Sequence, residues 1–317
     1  MDRPYYALTL LIAVVTTCAV SSSAFAASGP GATAFGFLRI PPDARQAALG
    51  GAFTAIGANI NALASNPAGL ARLPTSQLSL TYANYLLDIQ YGLISYARPF
   101  GNQTIGVGIQ YLSYGEFRQT TATDPIGATS GTFSAGDVAV RVAYARKVGA
   151  YLAIGTTGTV LYERIRNVSM DAFALDIGVQ FHHPKRRLSA GIALQNWGVV
   201  RNGLTTGRRD PLPTSVRIGI GYIPQNLPAL LVAEMDAGRG VRAGRFGVEF
   251  NVRERAFLRA GYATTGRDLR LRSSDFKLTG GSIGIGVLVR RIRMDYALTP
   301  TPRLGVIHRF TVTYGLK

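Results

Sequence analysis

The sequence predicts an all-β protein, a transmembrane antiparallel β-barrel of about fourteen strands. From Gln77 onward, apolar side chains recur at every second position, as they do on strands whose side chains point alternately to opposite faces. Short turns alternate with longer loops between these segments, which is the pattern of a membrane barrel. Charged residues make up only 16% of the chain, against about 25% in ordinary soluble domains.

The first element is a predicted signal peptide over residues 1–26. A charged start precedes the apolar run Ala7–Val20, and Ala24-Phe25-Ala26 supplies a small-x-small cleavage site. The run falls short of the roughly 20 residues that a membrane-spanning helix needs. Cys18 is the chain's one cysteine and lies in this segment, so a mature chain would have no disulfide or thiolate chemistry.

The net charge of +17 raises nucleic-acid binding as a function. We expect no nucleic-acid partner, because an exported chain has little access to nucleic acid. The arginines are also spread along the chain and form no single basic stripe.

Residues 27–76 form the next predicted unit, which is rich in Ala, Gly and Pro. Two short helices are expected here, one over Ala44–Leu49 capped by Asp43 and one around Asn59–Ala64. A third start signal follows at Asn66-Pro67, since Asn caps helices well and Pro suits the first helical position.

Residues 77–317 form the predicted barrel. Its candidate strands cover about 77–87, 90–99, 103–114, 133–146, 151–163, 172–182, 187–197, 215–223, 229–237, 244–252, 255–263, 280–289, 291–298 and 305–315. Most reach the roughly 9–11 residues that a tilted span needs, and only a closed barrel satisfies every backbone group in lipid. A soluble β-sandwich is the alternative, and tyrosines near the strand ends together with the alternating connections argue against it.

Two blocks of residues 27–76 carry a family resemblance. Leu38-Arg39-Ile40-Pro41 leads through Ala44-Arg45 to Leu49-Gly50-Gly51-Ala52, and Asn66-Pro67-Ala68-Gly69 follows. These elements resemble the PorV/PorQ family, a branch of barrels similar to long-chain fatty acid transporters of the FadL type. The departure is that Asn59 and Asn61 stand where that family usually has acidic residues.

The resemblance implies an outer-membrane barrel whose N-terminal segment folds inside the lumen as a hatch. It assigns the hatch motif to Asn66, Pro67, Ala68 and Gly69, and the hatch block to Pro41, Arg45, Gly50, Gly51 and Ala52. We expect both termini on the periplasmic, short-turn side and outer-membrane lipid as a partner. Asn66-Pro67 is then interpreted as the hinge between hatch and barrel.

Two functions are compatible with this resemblance. The main expectation is a binding or scaffold barrel that engages secreted cargo or secretion-machine proteins in type IX-like secretion. The alternative is a FadL-type channel that passes a fatty-acid-like hydrophobic ligand by hatch movement. Candidate contacts for such a ligand are Phe35, Phe37, Leu38, Phe53 and Ile56.

Catalytic and cofactor roles are not expected. The three histidines are His182, His183 and His308, and no triad or metal-ligand spacing surrounds them. Alternation instead places an arginine-rich charged set on the lumen face, either as ion pairs that join hatch and barrel or as a surface for cargo selection. The predicted lumen charges are Arg141, Asp176, Arg217, Glu249, Arg259, Arg291, Arg293, Asp295 and Arg309.

Overall fold

The structure is a computed structural model, and it describes residues 33–127, 130–203, 209–239, 241–265, 279–301 and 305–316. The predicted signal peptide, residues 1–26, lies outside the described residues, as do parts of three predicted long loops. Within the described residues, no helix is long and apolar enough to cross a membrane.

Fourteen antiparallel strands close into one barrel, in which each strand pairs with its sequence neighbours and the first pairs with the last. This confirms the predicted fold class. The strands are β1 (Gln77–Asn84), β2 (Gln90–Phe100), β3 (Gln103–Arg118), β4 (Thr132–Val148), β5 (Leu152–Ile165), β6 (Val168–His183), β7 (Leu188–Asn202), β8 (Ser215–Tyr222), β9 (Ala229–Gly238), β10 (Val241–Val252), β11 (Ala256–Ala263), β12 (Gly281–Val289), β13 (Ile292–Thr301) and β14 (Gly305–Gly315).

The barrel closes where β1 meets β14. All eight residues of β1 pair with β14, from Gln77 opposite Gly315 to Asn84 opposite His308. Inside this seam, the hydroxyls of Thr81 and Thr311 are 2.9 Å apart. Closure leaves no free sheet edge at this point, as a barrel in lipid requires.

The outer face of the wall is apolar. On β4, Val138, Val140 and Val142 are exposed, while Asp137 before them and Arg141 between them are buried, as the alternation predicts. Exposed aromatic rings gather toward both ends of the strands. Those toward the short turns include Tyr96, Phe100, Tyr144, Tyr151, Phe181, Phe250 and Tyr314, and those toward the longer loops include Tyr82, Tyr111, Tyr162, Phe173 and Trp197. Two such bands suit the two interfaces of a bilayer.

One side of the wall is taller than the sequence predicts. Strands β3 to β7 are 14–17 residues long, whereas β8 and β11 have eight residues each. The predicted connection between β5 and β6 is correspondingly shorter, because the strands continue to Ile165 and resume at Val168. Polar and charged residues in these extensions interrupt the apolar alternation from which strand ends are predicted.

The N-terminal segment, residues 33–76, lies within the barrel. It contains α1 (Ala44–Ala48) and 3-10 helices Gly36–Arg39, Ile60–Ala64 and Pro67–Arg72. The predicted caps at Asp43 and Asn66 are confirmed: each side chain accepts a backbone N–H of the helix that follows, and Asn59 acts in the same way. Since the first turn has orphan N–H groups, these short polar side chains explain why the helices begin there.

Candidate functional site

Glycines on the inner wall let the N-terminal segment approach closely. A Cβ at Gly155 of β5 would come within 2.5 Å of the Pro67 backbone, and a Cβ at Gly178 of β6 would overlap the Asn66 side chain. On the opposite wall, a Cβ at Gly261 would overlap the backbone at the end of α1. The glycine-rich inner face of the sequence is therefore a docking surface for backbone and short side chains.

The Asn66 side chain bonds the Asn-Pro-Ala-Gly motif both to the N-terminal segment and to the wall. The Asn66 side-chain amide donates to the Thr54 carbonyl at 2.7 Å and to the Val179 carbonyl of β6 at 3.3 Å. Its oxygen accepts the Ala68 N–H at 3.2 Å, and Asn66 is fully buried. These contacts fit an anchor that holds the segment to the wall better than the hinge that the sequence suggests.

A first charged network, the β10 network, joins the N-terminal segment to the wall. Glu249 accepts two hydrogen bonds from Arg45, from Nε at 2.7 Å and from Nη2 at 2.6 Å. The same carboxylate pairs with Arg259 at 2.5 Å, while Asp295 pairs with Arg259 at 2.8 Å and with Arg293 at 3.0 Å. Burial by itself would lower the pKa of Arg45, but the adjacent Glu249 carboxylate more than offsets it and raises that pKa.

A second network, the β9 network, was missed from the sequence, because β9 alternates poorly. Glu234 and Asp236 lie inward and pair with Arg245 at 3.1 and 2.7 Å, and Arg217 lies 3.1 Å from Asp236. The second oxygen of Glu234 accepts the backbone N–H groups of Phe53 and Thr54, each at 2.8 Å. A buried carboxylate thus holds the N-terminal segment here as well.

The other predicted lumen charges behave differently from one another. Arg141 and Asp176 are buried in the wall, and Arg141 donates to Gln110 at 2.7 Å. Arg309 is buried against the Tyr91 ring, 5.6 Å from its centroid, and its Nε and Nη2 have no hydrogen-bond partner among the described residues. The prediction for Arg291 is wrong: it lies exposed in the turn between β12 and β13, because the strand begins one residue later than the alternation suggests.

The candidate ligand contacts fall into two separate apolar clusters. Phe35, Phe37 and Leu38 lie in a cluster at the long-loop end of the lumen. We call this set, together with the wall residues it contacts, the loop-end cluster. The wall residues are Ala83, Tyr91, Leu93, Leu112, Ala139, Leu161, Met170, Ala172, Ala174 and Val200, with Leu212 from the β7–β8 loop. Phe53 and Ile56 lie instead with Leu49 and Val232, so the five residues do not form one site.

The direction of the described N-terminal segment is set by its contacts with the long loops. The Ala34 N–H donates to the Pro211 carbonyl of the β7–β8 loop at 3.0 Å, and Arg39 donates to the Arg239 carbonyl between β9 and β10. The described chain therefore starts at the long-loop end of the lumen and runs toward the short turns. The last strand, β14, ends on the short-turn side, and the start of the expected mature chain lies outside the described residues.

Comparison with solved structures defines the class of fold. A TodX monoaromatic hydrocarbon channel mutant superposes with a TM-score of 0.62 at 13% identity, over 86% of this chain and 99% of that one. The Ralstonia pickettii toluene transporter TbuX gives 0.59 at 12%, over 87% and 98%, and the CymD monoaromatic hydrocarbon channel gives 0.59 at 11%, over 89% and 99%. At these identities the likeness shows the fold alone, a barrel similar to these channels.

The sequence itself matches the uncharacterised protein family UPF0164 over residues 10–175, more than half of the chain. The protein belongs to that family. No curated protein sequence matches the chain. The comparisons support the barrel that the resemblance implied, but they do not support PorV/PorQ membership specifically.

Proposed function

We propose that this protein is an outer-membrane channel of the FadL type that passes hydrophobic small molecules. The observation that carries the proposal is the loop-end cluster, in which apolar side chains from seven strands line one end of the lumen and enclose Phe35 and Phe37. A concave apolar site of this kind binds apolar ligands, because such ligands replace the buried rings without loss of hydrogen bonds. Structural neighbours described as hydrocarbon channels and a toluene transporter add support.

In this proposal, residues 27–76 act as the hatch and the described state is closed. Phe35 and Phe37 occupy the site that a ligand would take, and Phe53 and Ile56 pack the hatch against β9. Asn66–Gly69 and Arg45 hold the hatch to the wall. Passage of a ligand then requires residues 33–40 to leave the loop-end cluster, while the contacts of Arg45 and Asn66 with the wall stay in place.

The test is flux of toluene and of laurate into liposomes that contain the full-length protein and have lipopolysaccharide in the outer leaflet, which slows unaided entry of apolar solutes. Phe35→Ala with Phe37→Ala enlarges the loop-end cluster, so we expect several-fold faster entry of the apolar solute with unchanged exclusion of sucrose. Phe53→Ala is the matched control, since it removes the same ring from the other cluster. Equal entry of toluene and laurate into protein-containing and empty liposomes would overturn the proposal.

The secretion scaffold is the main expectation from the sequence, but the structural neighbours favour the channel over it. A pulldown with the tagged full-length barrel separates the two. Co-purification of secretion-machine proteins or secreted cargo, without apolar flux, would restore the scaffold.

A further inference from the structure

The short-turn end of the barrel carries an uneven charge. Nine basic side chains are exposed there, in or beside the turns: Arg98, Arg146, Lys185, Arg186, Arg187, Arg253, Arg255, Arg290 and Arg291. Among the described residues, Glu254 is the one exposed acidic side chain at this end. We call these nine the basic ring.

The opposite end is also basic among the described residues, but more acidic residues accompany its basic ones. Its exposed arginines are Arg118, Arg164, Arg166, Arg201, Arg209, Arg239 and Arg242, and the acidic residues among them are Glu116, Asp124, Glu163, Asp171 and Asp210. Some of them pair, as Arg201 does with Asp171 at 3.2 Å. Among the described residues, the excess of basic over acidic side chains is therefore larger at the short turns than at the long loops.

Two members of the ring face lipid. Arg98 lies between Tyr96 and Phe100 on the outward stripe of β2, and all three are exposed. Arg146 lies beyond Tyr144 on β4, two strands away from Arg98 and two residues further along the wall, so their backbones are about 12 Å apart. Aromatic residues of this kind mark the level of the head groups, where a guanidinium meets phosphate.

We propose that the basic ring binds anionic phospholipid head groups, and that Arg98 and Arg146 are its lipid-facing centre. A guanidinium at this depth keeps its stem along the apolar wall and its charge in the head-group layer. Phosphodiester groups match it in charge and geometry, since two N–H groups can donate to one phosphate. The proposal requires only the barrel and its surface, and is independent of what the lumen passes.

The experiment measures lipid retention by the full-length protein in mixed micelles that contain phosphatidylglycerol and phosphatidylcholine, with bound lipid counted by native mass spectrometry. We expect wild type to prefer phosphatidylglycerol, and the preference to fall as salt rises, since screening acts over about 10 Å at 0.1 M. Replacing Arg98→Gln and Arg146→Gln should lower the preference about fivefold for each arginine, from about 1 kcal/mol per basic side chain near an anionic surface.

The matched control is Arg118→Gln with Arg164→Gln, which makes the same charge change at the other end and should leave the preference intact. An Arg98→Lys variant that retains most of the preference would support recognition of charge at this site. Equal retention of both lipids by wild type would overturn the proposal, as would equal losses in the two double variants. Tight binding of soluble polyglutamate without any lipid preference would also overturn it, because the ring would then face a soluble polyanion.

Discussion

The β10 network should respond unequally to loss of its two central charges. It holds three guanidinium groups, Arg45, Arg259 and Arg293, against two carboxylates, Glu249 and Asp295. Arg45→Met keeps most of the side-chain volume and leaves two positive charges with two negative ones. Glu249→Gln leaves three positive charges with one negative charge, in a site that excludes most water.

The magnitudes follow from these counts. Arg45→Met removes two charge-assisted hydrogen bonds of 2.6 and 2.7 Å but also the desolvation cost of one buried guanidinium, so we expect the free energy of unfolding to fall by about 1.5–3 kcal/mol, the value of one such bond. Glu249→Gln leaves buried guanidinium groups without their carboxylate partner, so it should lower the free energy of unfolding by about 3–5 kcal/mol. The double variant should cost less than the sum, because Arg45→Met relieves part of the excess positive charge.

The assay is urea unfolding in micelles, followed by fluorescence of Trp197, the chain's one tryptophan. Single-channel conductance in planar bilayers adds a second measurement, since Arg45→Met should loosen the N-terminal segment and raise conductance while the barrel remains folded. Equal costs for the two single variants, or strict additivity in the double variant, would refute this account of the network.

Three further outcomes are expected. Glu234→Gln should raise protease cleavage near Thr54, because one carboxylate oxygen accepts two backbone N–H groups there; unchanged cleavage would contradict this role. Gly155→Val should displace the Asn-Pro-Ala turn and lower the midpoint of thermal unfolding by several degrees, whereas Gly158→Val, where a Cβ meets nothing within 4 Å, should leave it unchanged. Burial raises the pKa of Asp43, so this group's contribution to stability should fall as pH rises from the ordinary Asp pKa of about 4 through the raised value. Asp43→Asn retains a capping side chain and should remove that part of the pH dependence of the free energy of unfolding. If the variant and the wild type show the same pH profile of stability, Asp43 is not the group responsible.

Much of the barrel follows from the sequence because lipid imposes a strict alternation. Each strand must present an apolar face outward, so Val138, Val140 and Val142 identify β4 from their spacing alone. The inner face has no such rule. Its glycines are required by the close approach of the N-terminal segment. The need for glycine at 155 and 178 becomes apparent only when Pro67 and Asn66 are seen packed against them.

The charged contacts between the N-terminal segment and the wall could be predicted from the sequence only in part. Arg45, Glu249 and Arg259 are charged residues at alternating or capped positions, and the sequence suggests an inward place for each. Nothing in the sequence indicates that one carboxylate serves both arginines, since this depends on strand register across the barrel. The apolar residues Phe37 and Phe53 look equivalent in sequence, and only the path of the chain through the lumen separates their clusters.

The seam between β1 and β14 also constrains the order in which the chain assembles. The N-terminal segment precedes β1, yet the Ala44 N–H donates to Thr311 of β14 at 3.0 Å, across 267 positions of sequence. The last strand therefore completes both the wall and the contacts of a segment that was synthesised first. Contacts of such long range incur the entropy of loop closure before they contribute any stability. The contacts between the N-terminal segment and β14 therefore form only after the whole chain has been synthesised.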